Sequence, residues 1–246
     1  MTVLVTGGSR GIGAATARLA AERGYTVCVN YRSNRAAADA VVADIESRGG
    51  TAIAVGADVS SETDVVRLFQ AIDERLGPLR ALVNNAGVLE TQTRVDSIDA
   101  ARIGRVFATN VTGAFLCARE AVKRLSTARG GAGGAIVNVS SRAAQLGAPG
   151  EYVDYAASKA ALDTLTIGLA LEVAAEGIRV NGVRAGIIDT EIHASGGEPR
   201  RVDRLGPQLP MQRGGYAIEV ARAILWLLSD EASYSTGTFI DVAGGR

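Results

Sequence analysis

The sequence has one histidine, His193, and two cysteines, Cys28 and Cys117. A histidine-clustered metal centre is thereby excluded, and a Ser-His-Asp hydrolase would have to be built on that single imidazole. The cysteines have neither redox nor metal-ligand spacing; they suit small apolar positions, Cys28 in a strand pattern and Cys117 in a helix pattern. Charge of either sign is not in excess, because Lys+Arg and Asp+Glu both number 26. No global field therefore draws in nucleic acid or an anionic membrane surface. There is no apolar run long enough to span a bilayer, and Met1 is followed at once by a strand-like run instead of a basic and then apolar leader. The expectation is a cytoplasmic protein acting on a small molecule, with no nucleic-acid or membrane partner. Aromatics are scarce at 4%, whereas hydrophobic residues make up 47% and glycines number 30. Such a core is packed from Ala, Val, Leu and Ile, as in α/β layers.

Strand-like and helix-like segments alternate from end to end, which predicts one α/β domain over residues 1–246. Val3-Leu4-Val5 reads as a first strand, stops at Thr6-Gly7-Gly8-Ser9-Arg10-Gly11-Ile12-Gly13, and gives way to a helix to about Arg23. Strand, glycine turn and helix form a phosphate-binding context, since absent side chains let backbone N–H groups and the helix N-terminus approach a pyrophosphate. The glycines at 7, 11 and 13 do not follow the G-x-G-x-x-G spacing, but the physics is the same. The second strand, Thr26 to Asn30, brings its end toward the adenosine ribose of a dinucleotide. A carboxylate there would favour NAD; the chain offers Asn30, Tyr31 and Arg32, with Arg10 as a second cation, so NADP(H) is favoured.

Further strands are expected at Thr51–Val55, with Asp58-Val59 just beyond, and at Leu79–Val83, ending in Asn84-Asn85-Ala86-Gly87. These amides and the glycine stabilise the sheet and leave room for cofactor ribose. Ala100 to about Arg129 reads as one long helix carrying Asn110, a buried amide that needs a partner. A fifth strand, Ala135–Val139, ends at Ser140 and Ser141. Tyr155 and Lys159 then stand four apart in a helix expected from Asp154 to Gly177, and so share one face. A sixth strand, Ile178–Val183, leads to Gly186, Ile188 and Thr190. Residues 190–213, rich in Gly, Pro and Arg, suit a mobile substrate lid. Beyond it come an amphipathic helix with Trp226 and a last strand, Thr238–Val242.

Taken together, the glycine turn, Asn84-Asn85-Ala86-Gly87, Asn138-Val139-Ser140-Ser141 and Tyr155-Ala156-Ala157-Ser158-Lys159 resemble the short-chain dehydrogenase/reductase family over nearly the whole chain. The resemblance implies a doubly wound Rossmann-type sheet of seven mostly parallel strands in order 3-2-1-4-5-6-7, with helices on both faces. It also implies reversible carbonyl–hydroxyl interconversion, with a 3-oxoacyl thioester, a sugar or a secondary alcohol as substrate, and a homo-oligomer, tetramer or dimer. Asn110, Ser141, Tyr155 and Lys159 would be catalytic. Tyr155 would be the proton donor, Lys159 would lower its pKa, Ser141 (with Ser140 as the alternative) would orient the substrate, and Asn110 would hold a water. Asp58 would meet the adenine edge, and Ile188 and Thr190 the nicotinamide carboxamide. Two departures stand out: Ser141 precedes the tyrosine by fourteen residues instead of thirteen, and Ala185 replaces a usual proline, which leaves the rigidity of that loop open. A dinucleotide-binding sensor or scaffold is the rival reading, and the joint presence of Asn110, Ser141, Tyr155 and Lys159 argues against it.

Overall fold

The computed structural model describes residues 1–246. Its centre is a seven-stranded, all-parallel sheet built from β1 (Thr2–Val5), β2 (Thr26–Tyr31), β3 (Thr51–Gly56), β4 (Leu79–Asn84), β5 (Gly134–Ser141), β6 (Ile178–Ala185) and a last strand at Phe239–Val242. The strand order is 3-2-1-4-5-6 followed by that last strand. Two additional two-residue strands, β7 (Ile188–Asp189) and β8 (Gly215–Tyr216), pair beside the sheet, so the seventh strand of the main sheet is β9 in chain order.

Strand period fixes the layers. In β1, Val3 and Val5 face one core and Leu4 the other, and all three are fully buried. The first core holds α1 (Gly11–Glu22), α2 (Arg35–Ser47) and the amphipathic α10 (Ala217–Leu228); the second holds α3 (Glu62–Arg75), α5 (Gly113–Leu125) and α7 (Val153–Val173). Buried polar groups are chained across the sheet: Asn84 donates to Asn138 Oδ1 (3.0 Å), and Asn138 donates to Thr166 Oγ1 (2.8 Å). Cys28 and Cys117 are buried free thiols, and burial pushes both up to about 12.

The helix expected from Ala100 to Arg129 is instead α4 (Ala100–Phe107), a π-helical stretch at Ala108–Thr112, and α5, with a 3-10 turn at Thr127–Arg129. The cause is Asn110. Its Oδ1 accepts from Val88 N (2.8 Å) and its Nδ2 donates to Val88 O (3.1 Å), clasping a loop 22 residues away. Satisfying that amide against the strand-end loop displaces the regular i to i−4 ladder by one residue. The helix that carries Tyr155 and Lys159 also ends earlier than expected: α7 stops at Val173, and a 3-10 turn leads to Gly177 at φ +74°.

Candidate active site

Apart from Gly13 and Asn110, the expected groups line two hollows at the C-terminal edge of the sheet, which share Ile12, Asn85, Gly87, Thr190 and Ile192. The first hollow is a cradle at the end of β1. Asn85 draws the glycine turn against β4: its Nδ2 donates to Thr6 O (2.9 Å) and Gly7 O (3.0 Å), while Thr6 Oγ1 accepts from Asn85 N and Ala86 N. Gly13 sits so deep in the turn that a Cβ there would stand 2.3 Å from Gly7 O and 2.5 Å from Asn85 Nδ2. Arg10, at the N-cap of α1, makes no side-chain cap bond, so the first-turn N–H groups have no side-chain partner there. Gly7, Ser9, Gly11, Tyr31, Val59 and Ala86 line the same hollow.

Arg10 and Arg32 are exposed at its outer end, beside Asp58. Asp58 Oδ1 accepts from Ser60 N (2.9 Å) and Ser60 Oγ (2.7 Å), leaving the other oxygen without an intramolecular partner. Helix α3 is capped by Ser61, not by Asp58. Asn30 is a correction to the expected ribose-facing trio. It is 2% exposed, and its side chain is turned inward, accepting from Gly7 N (3.3 Å) and donating to Ala57 O (3.0 Å). It ties together the ends of three strands, so only Tyr31 and Arg32 can present side chains to a ribose.

A nicotinamide dinucleotide fits the residues present. The uncovered N–H groups suit a pyrophosphate, the free Asp58 oxygen suits an amino edge, and the two exposed guanidiniums suit a further phosphate.

The second hollow brings together Ser141, Tyr155, Lys159, Gly186, Ile188 and Thr190. Lys159 is 4% exposed and donates from Nζ to Val139 O (2.8 Å); its ammonium lies 5.6 Å from the centre of the Tyr155 ring. Burial brings Lys159 down to about 8, against the opposing charge of Asp163. Burial likewise pushes the Tyr155 phenol up to about 12, against a hydrogen bond from Ser141. Ser141 Oγ also accepts from Ala143 N (3.1 Å). Ser140 is buried, and its hydroxyl donates to Lys159 O (3.2 Å), so it faces the helix, whereas the Ser141 hydroxyl donates to Ala185 O (3.4 Å) and lines the hollow with Tyr155. Asn110 lies behind this group. Both N–H bonds of its amide are taken, by Val88 O and by Ser158 Oγ (3.0 Å), while its Oδ1 accepts from Val88 N. Ala185 is held in strand pairing on both sides. Its carbonyl accepts from Arg142 N (2.9 Å), and Gly186 N donates to Val242 O (2.9 Å), so strand pairing supplies the rigidity that a proline would have given.

The segment expected as a mobile lid is built from α8 (Ile192–Ser195), α9 (Arg201–Leu205) and connecting turns, and it is tied down by charge. Arg201, 5% exposed, grips Glu151 with two hydrogen bonds (2.5 and 3.1 Å) and also bonds Glu198 (2.9 Å). Glu198 in turn holds Arg204 and accepts from Gln92 Nε2 (2.6 Å). The Arg201 guanidinium stacks 5.2 Å from the centre of the Tyr152 ring, whose hydroxyl donates to Gly196 O (3.3 Å). The hydrogen bond from Arg204, with those from Arg201 and Gln92, takes Glu198 down to about 2. A second ion pair, Arg102 with Asp154 (2.7 Å), is buried at the start of α7, and Arg102 also donates to Thr91 O (2.6 Å). None of these pairs follows from the motifs; the three-residue spacing of Glu198, Arg201 and Arg204 was the one local signal for the latch.

A doubly wound sheet with this cradle, and with a serine, tyrosine and lysine beside it, defines a nicotinamide-dinucleotide oxidoreductase. Comparison with known proteins agrees. The profile of a family described as enoyl-(acyl carrier protein) reductase matches residues 7–246. The chain is 65% identical over 243 residues to the uncharacterized oxidoreductase YgfF of Escherichia coli, covering 99% of this chain and 98% of that one. It is 41% identical over 245 residues to 3beta-hydroxysteroid dehydrogenase 1 of Eggerthella lenta, covering 99% of this chain and 92% of that one. A short-chain dehydrogenase from Burkholderia cenocepacia, solved in complex with NADP, superposes with a TM-score of 0.90 at 34% identity, over 99% of this chain and 96% of that one. The chain belongs to the short-chain dehydrogenase/reductase family.

Proposed function

We propose that this protein interconverts a carbonyl and a hydroxyl group with NADP(H), using Tyr155 as general acid in reduction and general base in oxidation. The observation that carries this reading is the continuity of the two hollows, which puts Ser141, Tyr155 and Lys159 at the inner end of the cradle. Bound NADPH supplies the hydride. The cradle turn with the α1 N-terminus holds the pyrophosphate, Arg32 and Arg10 a ribose 2′-phosphate, Asp58 and Val59 the adenine. Tyr155 and Lys159 flank the nicotinamide ribose, and Gly186, Ile188 and Thr190 the carboxamide.

During reduction the phenol O–H breaks and a new O–H forms on the substrate oxygen, while Ser141 fixes that oxygen by a second hydrogen bond. The phenolate left behind is the costly species, since the cleft pushes the phenol up to about 12. The Lys159 ammonium offsets that cost, and its detachment from Val139 O would let it turn toward the ribose and the phenolate. The proton returns through ordered water. With the Asn110 side chain fully engaged, its main-chain carbonyl is left to hold such a water.

Exposed apolar side chains on α4, α5 and α7, namely Ile103, Phe115, Ile167 and Leu171, favour a homo-oligomer, to be measured by light scattering after gel filtration. No helix is long and apolar enough to cross a membrane; a cytoplasmic location accords with the even charge balance. The deciding experiment is consumption of NADPH, with NADH alongside, across ketones, 3-oxoacyl thioesters and sugars. Carbonyl-dependent oxidation of NADPH by the wild type and its loss in Tyr155→Phe are the expected results; absence of turnover on every class would refute the reading.

A further inference from the structure

One polar atom beside the catalytic cleft has no partner within the protein. His193, on α8, is 7% exposed, and its Nε2 lies 2.8 Å from Ile188 O. A carbonyl oxygen only accepts, so Nε2 must carry the ring proton and donate it. Nδ1 is then a bare lone pair, buried and without a hydrogen bond. Burial holds the ring's pKa below its ordinary value, with the charge of Arg201 acting in the same direction against the Ile188 bond, so the ring is neutral and Nδ1 remains an acceptor. Buried polar atoms are nearly always paired.

The surroundings cannot supply the missing donor. His193 lines the same cleft as Ser141 and Tyr155, with Leu89, Ile187 and Ile192 as apolar wall. Arg201 is spent on Glu151 and Glu198, and the Tyr152 hydroxyl on Gly196 O. The donor comes from whatever fills the cleft, and a substrate bound there can supply it. The apolar side chains nearest His193 on this wall, Leu89, Ile187 and Ile192, suit a neutral donor better than a charged one.

We propose that His193 Nδ1 is the acceptor for a substrate hydroxyl, making hydroxy-carbonyl compounds and the matching diols the preferred substrates over plain ketones. The proposal rests on the carbonyl–hydroxyl reading above and adds its substrate class. His193 is a specificity-determining residue, and the proton chemistry stays with Tyr155.

The test compares kcat/KM with NADPH for butan-2-one, 3-hydroxybutan-2-one and 4-hydroxybutan-2-one in the wild type and in His193→Gln. The glutamine amide can still donate from Nε2 to Ile188 O, but it has no ring nitrogen to stand at the Nδ1 position. The hydroxyketone-to-ketone ratio is expected to fall about tenfold in the variant for at least one hydroxyketone, the scale of one hydrogen bond. Taking the ratio cancels both intrinsic reactivity and any general loss of folded enzyme. An equal fall for all three ketones, or an unchanged ratio, overturns the proposal. Should the variant not fold, the wild type alone decides through 3-methoxybutan-2-one and 4-methoxybutan-2-one, which lack the donor. A preference of about tenfold for hydroxy over methoxy supports the assignment, and parity overturns it. Turnover of butan-2-one without any hydroxyl preference sinks this inference and leaves the carbonyl–hydroxyl reading standing. No carbonyl turnover of any kind sinks both.

Discussion

The two walls of the cleft are held by opposite means. On the cradle side, the glycine turn is fixed by short neutral side chains, Thr6, Asn30 and Asn85, each bonded to backbone. On the lid side, residues 192–205 are held by long charged side chains, with Arg201 between Glu151 and Glu198 and Arg204 on Glu198. Backbone-directed amides leave little room for adjustment, because a carbonyl or N–H has one place in the turn. Ion pairs between flexible side chains can break and re-form. A rigid turn thus faces a fastening that can be undone and remade.

The largest effect is expected where the walls meet. Tyr155→Phe removes only the hydroxyl, and kcat should fall by about 10²–10⁴, the usual weight of general acid catalysis. The dissociation constant for NADPH, measured by fluorescence titration, should stay near the wild-type value; a parallel loss of cofactor binding would mean that the phenol serves the cradle and not the chemistry. Tyr152→Phe should lose far less turnover, since its hydroxyl bonds Gly196 O in the lid.

Next comes the rigidity of the cradle. Gly13→Ala would press a methyl against Gly7 O and Asn85, and should destabilise the fold by about 1–3 kcal/mol and weaken NADPH binding. Gly104, in α4, has nothing within 4 Å of its added carbon, and Gly104→Ala should stabilise by about 0.5–1 kcal/mol. Melting midpoints that moved alike would remove the claim that the turn cannot adjust.

A smaller, selective effect is expected at the exposed rim. Arg32→Ala should cost roughly 1.5–3 kcal/mol, about ten- to a hundredfold, in NADPH affinity and much less for NADH. Raised salt should act on the wild type in the same direction. If NADPH affinity survives the change, Arg10 is the phosphate ligand.

The smallest effect is the one most particular to the lid. Arg204 and Arg201 hold Glu198 at about 2, and Arg213 holds Glu219 at about 2 where the segment after the lid meets α10. Both folded-state values lie below the ordinary 4.5, so the stabilisation is complete above about pH 4.5 and is lost as the pH falls toward 2. Hydrogen exchange corrected for its intrinsic pH dependence should show residues 192–209 losing protection in that window before the cradle does. Simultaneous loss would make lid and cradle one cooperative unit.

The same division explains what could be read from the chain. The strands were legible because each is a short apolar run that stops at glycine or a polar residue, as Val3-Leu4-Val5 does, whereas their order came from the family resemblance. That Tyr155 and Lys159 share one helix face was legible through their spacing, and that Arg32 stands exposed just past a strand end was legible from the pattern around it, while the roles given to them came from the family resemblance. What escaped depends on partners far apart in sequence. The π-helical stretch arises because Asn110 clasps Val88, the inward turn of Asn30 because Ala57 waits below it, and the latch because Arg201 meets Glu151 fifty residues upstream. The orphaned nitrogen of His193 escaped as well, since it follows from the Ile188 carbonyl taking the other one.

The latch also sets a rule for anyone exchanging parts of this enzyme. Its receiving half lies outside the lid, in Gln92, Glu151 and Tyr152, two of them within four residues of Tyr155. The lid is therefore a cartridge with a three-residue socket. A foreign lid needs an arginine for Glu151, an acceptor for Gln92 and a carbonyl for Tyr152. One that lacks them leaves Glu151 without its partner four residues ahead of Tyr155, so a swap meant to alter this segment alone would register first as a change in the surroundings of Tyr155. Moving lid and socket together keeps the two changes separable.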